Sequence, residues 1–346
     1  MLRVGIIGCG GIAPKHIEAY QRCGQTEIKA VASAGEQNAK RTGEKLGVPW
    51  YTDYRKMLDR GDIDLVSICT PNGFHMEPAL EAARRKIHVV LEKPLEITTE
   101  RVDRIIEAGE KNGVAISCIF NHRFSNAHAF LKEAVDQGRF GRLINVNVAT
   151  RWYRAPKYYS DSPWHGTLAL DGGGALMNQG IHYIDLLQWL SGPVESVFAY
   201  TGTLLHTSIE AEDTAVACLR FQNGALGTVI GTTSTYPGYP AELQLTGERG
   251  SAVITKGAIT SWSFIDTDPI DEKAHILMEQ GNSGNHAVGN PVAFPGKDHY
   301  RQIARIAEAI EAGKPLDVSA REARKAVAII EAIYRSSKSH QEEPVQ

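Results

Sequence analysis

Five short apolar runs, LRVGIIG, IKAVAS, DLVSICT, HVVLEK and VAISCIF, fill the first part of the chain, and stretches of helical periodicity separate them near 12–23, 37–46, 73–86 and 98–112. Strands apolar at nearly every position are buried on both faces, and the helices between them supply the two covering layers. The alternation predicts a doubly wound parallel α/β sheet over residues 1–121.

After residue 122 the texture changes. RLINVNVATRWYR, VESVFAYTGTLL, DTAVACLRF, GALGTVIGTTST and AELQLTGERGSAVI read as longer strands joined by short turns bearing Gly or Asn. They predict an α+β domain over 122–346, built on a large, open, mostly antiparallel sheet with helices on one face. The polar stretch 266–298 reads as a long surface loop or lid. Two helices close the chain, the second opened by Ser319 with Glu322 three residues on, as in a capping box.

At 346 residues, 42% hydrophobic and 22% charged, the chain has the length of two domains and the composition of an ordinary globular protein. No apolar run approaches the roughly 18 residues of a membrane span. The N-terminus enters a strand directly, without the regions of a signal peptide, so a cytoplasmic location is expected. A net charge of −3 and the lack of a dense basic block give no footprint for nucleic acid. Five widely spaced cysteines suit small buried residues in a reducing compartment, and neither they nor the histidines show metal-ligand spacing, so no metal is expected.

The first strand runs into Gly8-Cys9-Gly10-Gly11-Ile12-Ala13, a G-x-G-x-x-A pattern between strand and helix. Gly8 allows the tight turn, Gly10 lets backbone approach a pyrophosphate, and Ala13 lets helix and strand pack closely. Within a complete β-α-β unit this makes 1–121 a dinucleotide-binding Rossmann domain. An acid for the ribose hydroxyl of NAD is expected about 20 residues later, but Ser33 stands there, with Glu36, Lys40 and Arg41 farther on. NAD and NADP both remain open. Ser33 either contacts cofactor or caps the next helix.

Ligands on such sheets gather outside the carboxyl ends of the strands. That rule selects Thr70, Pro71 and Asn72 with His75, then Glu92 and Lys93, then Asn121, His122 and Arg123. A lysine in a partly desolvated crevice beside nicotinamide can have its pKa lowered and serve in proton transfer; a solvated loop lysine is the alternative. In DGGGALMNQGIHYID, residues 171–185, a helix advancing about 100° per residue puts Asn178, His182 and Asp185 on one stripe. That stripe is either one wall of a site or the polar edge of a buried helix.

Taken in order, GCGGIA, TPNGFH, LEKPL and GGGALMNQGIHYIDLL resemble the Gfo/Idh/MocA family of oxidoreductases along essentially the whole chain. The resemblance implies a Rossmann domain followed by a substrate-binding and oligomerisation domain, a homo-oligomer, NAD or NADP as cofactor, and a sugar or cyclitol as substrate. It makes Lys93 and His182 the proton-handling pair and gives Asp185 the role of orienting the His182 imidazole. Many members carry aspartate where this chain has Asn178. Asparagine takes no proton from an alcohol, so Asn178 is expected to position a substrate hydroxyl or amide. With FNHRF, it is similar to the branch of UDP-N-acetyl-2-amino-2-deoxyglucuronate 3-dehydrogenases and related sugar 3-dehydrogenases.

The segment RWYRAPKYYSDSPWHG adds Arg151, Tyr153, Arg154, Tyr158, Tyr159, Trp164 and His165. Sugars stack their C–H faces on aromatic rings, so Tyr153 and Trp164 are candidate substrate contacts and Arg123 a partner for substrate groups. The expected activity is hydride exchange between nicotinamide and a secondary hydroxyl of a sugar or nucleotide sugar. The alternatives are a dehydrogenase for a cyclitol or neutral glycoside, and a dinucleotide sensor or scaffold without catalysis.

Overall fold

The computed structural model describes residues 1–282 and 297–346. These fall into two compact units, Met1–Asn121 with Pro295–Val327, and His122–Phe294 with Ala328–Gln346.

In the first unit, strands β1 (Leu2–Ile7), β2 (Thr26–Ala32), β3 (Trp50–Tyr51), β4 (Leu65–Ile68), β5 (His88–Leu91) and β6 (Ile116–Cys118) alternate with helices α1 (Ala13–Arg22), α2 (Glu36–Leu46), α3 (Tyr54–Leu58), α4 (Met76–Arg84) and α5 (Thr99–Asn112). The strands form one sheet in the order β3-β2-β1-β4-β5-β6, every pair parallel. The order reverses between β1 and β4, which opens the crevice where ligands of such sheets bind. The two-residue β3 and the short α3 are too brief to carry a period of their own in the sequence. α5 begins at Thr98, whose hydroxyl accepts the Arg101 amide at 3.3 Å, and ends on Gly113 with φ 66°.

The second unit opens with α6 (Asn126–Asp136), β7 (Leu143–Arg151), α7 (Pro156–Ser160) and α8 (Ile181–Ser191). It continues through β8 (Val194–Gly202), β9 (Thr214–Phe221), β10 (Leu226–Thr232), β11 (Glu242–Gly247), β12 (Gly250–Thr255) and β13 (Ala258–Phe264). With β14 (Glu343–Pro344) from the chain end, its eight strands run β13-β12-β11-β7-β10-β9-β8-β14. Among the described residues, only the β7–β10 pair of this sheet is parallel. Alternating burial along β9 and β11 gives the sheet one core face and one outer face. α8 packs on β7 from the core side.

The stretch read as a loop from 266 to 298 is in part helical: α9 (Ile270–Asn282) packs against β13 and α6. Asp268 starts it by accepting the Ile270 amide at 3.0 Å, Ala274 is fully buried, and Asp271 holds Arg139 and the Trp262 indole. Residues 283–296 of that stretch lie outside the described residues.

α10 (Lys297–Glu311) and the start of α11 (Ala320–Ser339) belong to the first unit, although the change of texture at 122 put them with the second. Ile303, Ile306 and Ala307 of α10 are buried in one core with Leu2, Val4, Tyr20 and Leu65, so apolar burial ties this distant segment to the Rossmann sheet. Ser319 caps α11 through the Glu322 amide at 3.2 Å, while the Glu322 side chain pairs with Lys325.

Candidate active site

The glycine loop shows which of its glycines the protein itself demands. Gly8 has φ 94°, and a Cβ there would lie 2.7 Å from the Cys69 carbonyl carbon and 2.9 Å from the Thr70 nitrogen. Among the described residues, a Cβ on Gly10 or Gly11 would meet nothing within 4 Å. Packing explains Gly8; open space beside the start of α1 explains Gly10 and Gly11, and fits a ligand that must approach backbone closely. Together with the α1 N-terminus after Ile12, the loop suits the pyrophosphate of a dinucleotide. Ser33 follows β2 with its amide on the Tyr51 carbonyl, and the N-cap of α2 is Gly35 rather than Ser33.

Past β4, Thr70 and Pro71 are half-buried and Asn72 is buried. His75 is a correction: its ring is fully buried, with Nδ1 2.9 Å from the Pro94 oxygen and Nε2 3.0 Å from the Thr70 oxygen. It ties the two strand-end turns together.

Glu92 is a second correction. Its carboxylate turns into the core, where Oε1 lies 2.7 Å from His16 Nε2 and 3.6 Å from His299 Nε2, and Oε2 accepts the Lys93 amide at 3.0 Å. Burial would raise this carboxyl, but the two histidines hold it well below the usual range. Burial likewise opposes charge on His16, and Cys69 and Glu92 overcome it, pushing the imidazole up to about 10. Ser67 bonds His16 Nδ1 at 2.8 Å, and Asn121 bonds His299 Nδ1 at 3.1 Å. Asn121 therefore serves this buried network with its amide nitrogen. Two histidines and a carboxylate form a donor set of metal-ligand type. His16 Nε2 and Glu92 Oε1 are also close enough to pair directly through a hydrogen bond. Lys93 stands half-buried on the turn that Glu92 anchors.

In the second unit the stripe is broken. Ala175–Gly180 form a π-helical turn, and α8 starts at Ile181, so Asn178 and His182 do not share a uniform α-helical face. Asn178 is buried, and its Nδ2 donates to Asp171 Oδ1 at 2.7 Å. Gln179 beside it is gripped by Arg154 at 2.7 Å and by the Tyr158 hydroxyl at 2.9 Å. Tyr158 stacks on His165, which adjoins Trp164, while Tyr153 packs edge-on against exposed Tyr236. The aromatic segment and the turn are thus one assembly.

His182 is half-buried and stacks on His122 with ring centroids 4.5 Å apart. His122 stacks in turn on His128, whose imidazole burial lowers to about 4. Asp185, expected as the orienting partner of His182, holds Arg123 with both oxygens, Nε to Oδ2 at 2.7 Å. Arg123 is 3% exposed and also covers the Trp189 ring. Expected as a substrate arm, it is a buried strut.

Two family models match the chain: an oxidoreductase family with NAD-binding Rossmann fold over residues 2–120, and a GFO/IDH/MocA C-terminal domain over 128–253. The chain belongs to the Gfo/Idh/MocA family. This Gfo/Idh/MocA protein is an oxidoreductase with an NAD-binding Rossmann fold, and its relatives include proteins named as sugar and inositol dehydrogenases.

Among its relatives, myo-inositol 2-dehydrogenase of Thermotoga maritima is 27% identical, over 94% of this chain and 93% of that enzyme. D-glucoside 3-dehydrogenase of Escherichia coli is 31% identical, over 65% and 68%. The WlbA dehydrogenase of Bordetella pertussis, solved with NADH and UDP-GlcNAcA, superposes with a TM-score of 0.92 at 33% identity, over 100% of this chain and 98% of that one.

Within this Gfo/Idh/MocA chain, the residues missed in sequence are His16, His299, Asp171 and Glu212, the last described below. Asp171 alone had a local signal, as the first residue of DGGGALMNQGIHYID.

Proposed function

We propose that this protein oxidises a ring secondary hydroxyl of a nucleotide-linked sugar acid, or reduces the corresponding ketone. The observation that carries the reading is the assembly around Asn178: a buried amide held in one orientation by Asp171, on an irregular turn braced by Arg154 and Tyr158. A neutral amide fixed in this way recognises a neutral substrate group by hydrogen bonding and leaves proton transfer to other side chains. The likeness to WlbA, crystallised with UDP-GlcNAcA, supports a nucleotide-linked substrate.

A bound nicotinamide dinucleotide supplies the hydride acceptor. Gly8, Gly10, Gly11 and Ile12 would hold its pyrophosphate, with Ser33, Thr70, Pro71 and Asn72 along the same strand ends. Lys93 takes the hydroxyl proton, its ammonium returning to the neutral base through solvent. His182, stacked on His122, is the second proton-handling group. Asn178, Tyr153 and Trp164 hold and orient the sugar. With Ser33 in place of an acid, no carboxylate at that position repels a 2′-phosphate, so both cofactors are to be tried.

The working form is a homo-oligomer in the cytoplasm. The outer face of the second sheet exposes Ile144, Phe198, Tyr200, Val216 and Leu226, an apolar area suited to a second copy. Four of the five cysteines are buried, as suits small core residues in a reducing compartment. Cys218 is exposed on that face, unlike the four buried ones.

The test is turnover with NAD and NADP across UDP-linked uronic acids, free sugars, cyclitols and neutral glycosides. Activity confined to the nucleotide-linked acids supports the proposal. Activity on glycosides alone, the reaction named for the Escherichia coli relative, contradicts the substrate assignment. Tight cofactor binding with no turnover across the panel contradicts the reaction.

A further inference from the structure

The turn that carries Asn178 is not set by its own sequence. Three successive amides at its start, those of Gly174, Ala175 and Leu176, all donate to one residue, Glu212. Gly174 reaches Oε2 at 3.0 Å, Ala175 the main-chain oxygen at 2.9 Å, and Leu176 Oε1 at 2.8 Å. The hydroxyl of Tyr334, from α11, donates to Oε1 at 3.0 Å. The first amides of a helix lack partners within it and carry partial positive charge, and a carboxylate supplies both acceptor and countercharge.

The glycines before the turn fit this clasp. A Cβ on Gly174 would lie 1.8 Å from the Glu212 oxygen, and one on Gly173 2.2 Å from the Tyr334 hydroxyl. The Gly-Gly-Gly run lets Glu212 and Tyr334 close on the backbone. Only then do Asn178 and, one turn on, His182 follow at fixed positions.

We propose that Glu212 is a positioning residue, which by clasping amides 174–176 fixes the turn that presents Asn178 to substrate. The role rests on the reading of Asn178 given above. The clasp needs the carboxylate ionised: a proton on either oxygen turns an acceptor toward a donor. Burial pushes this carboxyl up to about 7, with the backbone amides and Tyr334 opposing. The other ionisable groups around it are Asp171, which faces Asn178 and the Gly166 amide, and Asp213. The latter is committed to the amides of Leu204, Leu205 and His206 and to Thr214.

The experiment compares wild type with Glu212→Gln and Tyr334→Phe in two readouts. Steady-state kinetics are run from pH 6 to about 8.5, and amide hydrogen exchange is followed over residues 174–178. The expected result for Glu212→Gln is a KM for the sugar raised about 10-fold or more, from the loss of a charge-assisted clasp, with NADH affinity unchanged. Wild-type KM falls as pH rises through about 7, whereas the variant's is flat. Exchange at 174–178 quickens in Glu212→Gln and less in Tyr334→Phe. Unchanged KM with unchanged exchange overturns the proposal. If wild type turns over no sugar, the functional reading fails, and exchange alone decides the clasp: faster exchange supports it and equal exchange overturns it. If Glu212→Gln does not fold, Tyr334→Phe carries the same comparison, and exchange at 174–178 equal to wild type overturns the proposal.

Discussion

His16 Nε2 lies 2.7 Å from Glu92 Oε1 in the core of the first unit, with both side chains withdrawn from water. This ion pair joins α1, which starts at the cofactor loop, to the turn that carries Lys93. Removing one partner of a buried pair leaves the other charge uncompensated, at a cost of about 3–5 kcal/mol. Glu92→Gln should lower the unfolding free energy read from urea melts by that amount. The pH dependence has a definite sign. His16 titrates near 10 when folded against 6.5 ordinarily, so its contribution is full below 6.5 and lost as pH rises through about 10. Glu92, held well below 4.5, contributes above that value and loses its share on acidification. The wild-type advantage over His16→Gln should therefore peak between 4.5 and 6.5, as read from urea melts across pH.

Gly8 and Gly10 separate folding from cofactor binding. Gly8→Ala forces a side chain into positive φ and against the Cys69 backbone, and is expected to cost about 1–3 kcal/mol. Gly10→Ala meets no atom of the described residues within 4 Å, so its melting temperature should match wild type while the NADH dissociation constant rises at least about 10-fold. Thermal melts and a fluorescence titration of NADH check both. Equal NADH affinity in Gly10→Ala would remove the loop from the cofactor site.

Arg123 and Asp185 brace α8 from the turn after β6. Arg123→Met should destabilise by about 3–5 kcal/mol, and adding Asp185→Leu should restore most of that loss, because the stranded charge is gone. The folded double variant should bind the sugar as wild type does. A tenfold weaker KM in that variant would return Arg123 to the substrate-binding set.

The outer face of the second sheet gives a prediction about assembly. Tyr200 and Val216 are directly opposed on β8 and β9, and both are exposed. Val216→Glu should shift the protein from oligomer to monomer in light scattering, since a charge buried at an apolar contact is costly. A wild type that is already monomeric would contradict the oligomer.

Local pattern carried much of this fold. Apolar runs alternating with helical periods specify a parallel sheet, and the glycine loop fixes where its first crossover begins, so β1, β2, β4, β5 and β6 and the strand-end residues were legible. The π-helical turn was not: ALMNQG has no period of its own, and Glu212 imposes its shape from beyond β8. The His16–Glu92 pair was equally hidden, because 76 residues separate its members and each alone reads as an ordinary polar residue near a strand end. α10 shows a buried face in its period, but periodicity does not say against which core. For the same reason Arg123 and Asp185 looked available when read singly.

If Lys93 moves the proton in a hydride-transferring enzyme, Lys93→Ala loses turnover and little else. With the best substrate of the panel at saturation, the growth of reduced-nicotinamide absorbance gives kcat, and an NADH titration gives the cofactor dissociation constant. The expected result is a fall in kcat of about 10²–10⁴-fold, with cofactor affinity and melting temperature close to wild type. Wild-type kcat in a folded, cofactor-binding Lys93→Ala protein would contradict it.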